Sequence, residues 1–80
     1  PGKHGAAPTQ YGVVRVLIPD EPGQLGRLFQ DVGDTGTNIE EFIIDHGLGG
    51  QFGVGEVFVV PAAAEGLAEA LQRKGWTLHA

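Results

Sequence analysis

The sequence predicts an α+β domain of the βαββαβ type, with two helices covering one face of a four-stranded antiparallel sheet. Apolar and β-branched runs recur at four places, around residues 13–18, 39–44, 57–60 and 76–79, as strands require. Between the first and second runs, and again between the third and fourth, apolar residues return at helical spacing. Glycine and proline separate the segments. The length of 80 residues admits one small domain, and 41% hydrophobic with 19% charged residues is the balance of a packed one.

Residues 1–10 combine small, polar and helix-breaking types without an apolar period and read as a linker, leaving 11–80 as the domain. The first strand, over 11–18, is almost continuously apolar and is therefore expected to be central. Pro19 ends it. Asp20, Glu21, Pro22 and Gly23 read as a helix start, with an acidic cap and proline in the first turn. Leu25, Leu28, Phe29 and Val32 form the stripe that this helix buries, and Gly33 or Gly36 closes it. The second strand is expected over 38–46, where acidic and apolar residues alternate irregularly, the pattern of a bulge or of a strand with two used faces.

The segment 47–53 is too glycine-rich for either regular structure and short enough to join two antiparallel strands, and the third strand follows over 54–60. Pro61 opens the second helix, with Ala64, Leu67, Ala68 and Leu71 inward and Glu65, Glu69, Arg73 and Lys74 outward. Gly75 is its cap, Trp76 the apolar residue folding back over the end, and 76–79 the fourth strand. Strand, helix, strand, strand, helix, strand is the order of the ferredoxin-like fold. Right-handed crossovers place both helices on one face, leaving the other face and two edges open.

Composition removes several functions. Cysteine is absent, which excludes disulfides, thiolate chemistry and cysteine-held metals. Ten acidic against five basic residues, with no basic run longer than Arg73-Lys74, argues against nucleic acid as a partner. No apolar stretch reaches the roughly 20 residues of a membrane span, and the chain reads as cytoplasmic. Methionine is absent even at position 1, which points to a segment of a longer chain or a processed start.

The three histidines are scattered over the linker, the end of the second strand and the C-terminus, so no metal site is expected. There is no serine nucleophile. Glu40 and Glu41, as strand neighbours, point to opposite faces, and Glu56 reads as a solvent-facing strand position. Stand-alone catalysis is not expected.

What remains is the Asp20-x-Pro22-Gly23-x-Leu25 loop after the first strand, then Asn38-Ile39 opening the second. These motifs, over residues 12–78, resemble the ACT domain, a small-molecule sensor of amino-acid metabolism. Asn38-Ile39-Glu40-Glu41, Ile44-Asp45-His46-Gly47 and the ending Lys74-Gly75-Trp76-Thr77-Leu78-His79 are similar to the C-terminal ACT domain of some bacterial prephenate dehydrogenases. The resemblance implies an amino-acid effector, tyrosine or phenylalanine, bound between two copies by Asp20, Pro22, Gly23, Gln24, Leu25, Asn38 and Ile39. It also implies an upstream dehydrogenase domain that would hold NAD(P), with no cofactor in this segment.

The loop chemistry is compatible with that role. Gly23 admits a ligand close to the backbone, a helix start offers N–H groups to a carboxylate, and Asp20 or the Asn38 amide oxygen could accept from an ammonium. Ile18, Leu25, Ile39 and Phe42 would supply an apolar wall. Asp20 as a plain cap and Asn38 as a turn residue is the other reading of the same residues, and it leads to a dimerisation module without a ligand.

Overall fold

The computed structural model describes residues 10–46 and 50–79. The expected linker, apart from Gln10, lies outside the described residues, as do Gly47, Leu48, Gly49 and Ala80. The elements are β1 (Gly12–Pro19), α1 (Gln24–Asp34), β2 (Glu41–Asp45), β3 (Phe52–Val59), α2 (Pro61–Arg73) and β4 (Thr77–Leu78). They form one antiparallel sheet in the order β2-β3-β1-β4. The expected α+β architecture is present, and β1 is central.

Period-two alternation decides which residues enter the core. Val14, Val16 and Ile18 of β1 and Val57 and Val59 of β3 point inward, where Leu28 and Val32 of α1, Leu67 and Leu71 of α2, and Trp76 meet them. Each buried leucine contributes about 1.5–3 kcal/mol relative to an exposed one. Gly55 stands opposite Val16 in this layer. A Cβ there would lie 2.5 Å from Ile18 Cδ1 and 3.0 Å from the Phe42 ring, so the missing side chain is the space those two occupy.

Several boundaries differ from expectation. β2 starts at Glu41, three residues late, because pairing with β3 begins only there; the Glu40 N–H already donates to the Phe58 carbonyl at 2.7 Å. Its register with β3 is unbroken, so no bulge forms. The irregular pattern is instead a strand with Phe42 and Ile44 half-buried and Glu41, Ile43 and Asp45 outward. α1 has no acidic cap. Its N-cap is Gly23, at φ 87°, and Asp20 and Pro22 both precede the helix.

The end of α2 is tied down from two sides. The Trp76 N–H donates to the Leu71 carbonyl at 3.0 Å and the Gly75 N–H to Gln72 at 3.0 Å, with Gly75 at φ 99°. These are the two bonds of a Schellman termination, and Trp76 closes onto Leu71. Across the domain, the indole N–H donates to Asp31 Oδ2 at 2.7 Å and the Arg27 guanidinium lies 4.3 Å from the ring centroid. Arg27 Nη2 also donates to the Lys74 carbonyl at 3.2 Å. One turn of α1 thereby clamps the end of α2 and the start of β4.

Two outcomes test this packing. Gly55→Ala should lower unfolding free energy by about 1–3 kcal/mol through overpacking, read as a shifted urea midpoint; an unchanged midpoint would show that Ile18 yields freely. Asp31→Ala should cost about 1–3 kcal/mol by stranding the indole N–H, while Asp31→Asn keeps an accepting oxygen and recovers most of the loss. Trp76, the single tryptophan, reports both transitions by fluorescence.

Candidate functional site

The loop between β1 and α1 is built by three local bonds. The Glu21 N–H donates back to the Pro19 carbonyl at 2.8 Å, turning the chain off the strand. The Gln24 N–H then donates to the Glu21 carbonyl at 3.3 Å, and Gly23 has φ 87° and ψ −9°. Those are the dihedrals of the third residue of a type II turn, with Pro22 in the second position that its ring favours. An L side chain at Gly23 would meet the left-handed penalty of about 1–2 kcal/mol, although open space surrounds it. The third bond, from the Asp20 N–H to the Gln51 carbonyl at 2.9 Å, moors the loop to the entry of β3.

Asp20, Gln24 and Leu25 share a small concavity of about 80 Å³ with Ile44 and His46. The Asp20 side chain is exposed, and the first turn of α1 opens beside it, where helix geometry leaves N–H groups without intrahelical acceptors. Small-molecule sites run to roughly 300 Å³ and more, so this space alone accommodates part of an amino acid.

Asn38 and Ile39 are elsewhere. β1 and β2 run in the same direction with β3 between them, so the loop after β1 and the approach to β2 occupy opposite ends of the sheet. Glu41 lies level with Val13 through Phe58, and Asp20 follows Pro19, a separation on the order of 20 Å at strand rise. Asn38 donates its amide N–H to Glu40 Oε2 at 3.1 Å, a bond that does not use the amide oxygen. Ile39 is half-buried against the core. Of the apolar wall expected from Ile18, Leu25, Ile39 and Phe42, Ile18 and Leu25 line the loop concavity, Phe42 borders Ile18 at Gly55 and meets Phe29 edge-on at 5.0 Å, and Ile39 stands apart at the other end of the sheet.

Only part of the α1 stripe is buried. Leu28 and Val32 face the core, whereas Leu25 and Phe29 remain 37% and 41% exposed over β2, the edge strand. An edge strand with two apolar side chains above it is an unfinished boundary.

On the helix-free face, Glu56 has the solvent-facing position expected of it and accepts from Arg15 Nε at 2.8 Å. A wider, shallower concavity of about 510 Å³ spreads over this pair and is also lined by Asp45, His46 and His79. It is larger than the loop concavity but is open sheet surface. The two histidines that the sequence places far apart therefore share one face, which only strand order reveals.

Among the described residues no group of three or more His, Asp or Glu side chains is arranged to hold a metal ion, and no polar side chain is buried. Among them, too, no helix is long and apolar enough to cross a membrane. The charged groups thus lie in high-dielectric surroundings, where their mutual interactions are weak. No protein-family model matches the chain, and neither a curated protein nor a solved structure matches it.

Proposed function

We infer that the chain is a regulatory amino-acid-binding domain of the ACT type, serving a prephenate dehydrogenase and sensing tyrosine between two copies of itself. The observation that carries this reading is the Pro22-Gly23 type II turn, which sets a helix start beside a concavity of about a quarter of the smallest usual site volume and an unfinished β2 edge. A carboxylate would meet the N–H groups of the first α1 turn, and Asp20 would accept from the ammonium.

The opposite-end placement of Asn38 fits a shared site. A two-fold axis perpendicular to the sheet beside β2 reverses strand direction in the second copy and brings Asn38 of the partner subunit to the Asp20 end. The same operation covers Leu25 and Phe29. Ligand binding would then favour one mutual arrangement of the two copies and bias an upstream, NAD(P)-holding domain by about 1–3 kcal/mol, the usual size of such coupling. The exposed apolar pair would equally serve a dimerisation module that binds nothing, so ligand and assembly must be measured separately.

Calorimetric titration with tyrosine, phenylalanine, tryptophan and prephenate, alongside sedimentation, does so. Saturable tyrosine binding to a dimer is expected, and Asp20→Ala should weaken it about 10- to 100-fold by removing a charge-assisted bond while keeping the dimer. Phe29→Asp should abolish both dimer and binding. A stable dimer with no heat from any ligand would overturn sensing and leave the assembly module.

A further inference from the structure

The helix-free face of the sheet carries a second feature that the sensor reading does not use. Tyr11, Ile43 and Phe52 are each at least 40% exposed there, an apolar surface interrupted by the Arg15–Glu56 pair near its middle. The register of β1 with β3 sets Val13 beside Phe58, Arg15 beside Glu56 and Leu17 beside Val54. The geometry points to this face as a self-complementary docking surface whose occupant is the same face of a second copy.

The reason lies in the symmetry of that register. A two-fold axis running parallel to the strands, midway between β1 and β3, lays each β1 over the other copy's β3. Arg15 then faces Glu56 of the partner subunit, and Glu56 faces the partner's Arg15, so four charges alternate around the axis. On either side of them Val13 meets an aromatic ring and Leu17 meets a valine, apolar on apolar. The same axis sets β2, with Glu41 and Asp45, across from Thr77 of β4 and the His79 that follows it, so the acidic strands never meet. Sheets packed face to face cross at roughly 30°, a rotation about the sheet normal that displaces contacts least at its pivot, and the Arg15–Glu56 rung lies near the middle of the β1–β3 register, where that pivot falls.

An unrelated acidic or basic partner would match only one member of the Arg15–Glu56 pair, whereas a second copy matches both. The footprint, the eight-residue β1–β3 ladder flanked by the shorter β2 and β4, is at most about 400 Å² per copy, half of a standard interface, so association no tighter than the micromolar range is expected. This contact differs from the β2-edge contact of the sensor reading and does not rest on it.

The test is a mixing experiment read by sedimentation over a micromolar concentration series. Arg15→Glu alone and Glu56→Arg alone should each weaken self-association by about tenfold or more, because like charges then face across the axis. An equimolar mixture of the two should associate at least as well as the unaltered chain, since every altered charge now meets its opposite on the other molecule. Both variants lose the Arg15–Glu56 bond within the chain and mixing does not rebuild it, so recovery reports contact between chains. The reciprocal double variant, which restores the internal pair reversed, should self-associate like the original and guards against misfolded singles. Single variants that sediment as the unaltered chain, or a mixture that sediments as its components, would overturn the proposal. Association through the β2 edge is common to all samples and leaves these differences unaffected, and so does a failure of tyrosine to bind.

Discussion

The eight-residue antiparallel register between β1 and β3 is the constraint on which the rest of the domain depends. It turns Val14, Val16 and Ile18 toward the helices, and with them sets the volume that Leu28, Leu67 and Leu71 must fill. It also puts Gly55 where Ile18 and Phe42 need room, and Arg15 where its guanidinium reaches Glu56. A slip by one residue would send the valines to solvent and the charged pair into the core, a change that no local adjustment could absorb. The loop after β1 inherits its place from the same pairing, since Asp20 bonds to Gln51 just beyond the last rung.

Much of this frame is legible in the sequence because the signals are local. Pro61 at the first position of α2 and the Gly75-Trp76 ending announce themselves through backbone chemistry that no distant contact can override. The apolar run of β1 could hardly be anything but a central strand. The start of β2 is not legible in the same way, because Ile39 is β-branched and strand-like and only the reach of β3 decides where pairing begins. Asp20 looked like a helix cap for a related reason. Its spacing from the helix suits one, but Pro22-Gly23 favours a type II turn that delays the helix by several residues.

The site was partly legible for a different reason. A strand, a crossing helix and a second parallel strand return the chain to the end where it began, so the end of β1 and the approach to β2 must be distant within one copy. That consequence follows from the element order alone, whereas proximity of Asp20 to Asn38 would demand a second chain. The exposure of Leu25 and Phe29 was hidden because a helical stripe reads as fully buried only if the sheet beneath is wide enough. Here the sheet ends at β2. The Arg15–Glu56 contact, joining residues 41 positions apart, exists only once the register is known.

β4 pairs with β1 through just two residues, extended by one bond from the His79 N–H to the Arg15 carbonyl at 2.8 Å. So short a ladder has little hold of its own, and the seat of the Trp76 indole against Leu71, Asp31 and Arg27 keeps it in place. The indole therefore guards the border of the sheet. If it leaves its seat, the strand goes with it, and the middle of β1 becomes a bare hydrogen-bonding template facing the surrounding solution. A single side chain in this domain thus holds the border on the β4 side, while the β2 border stays open to further strands.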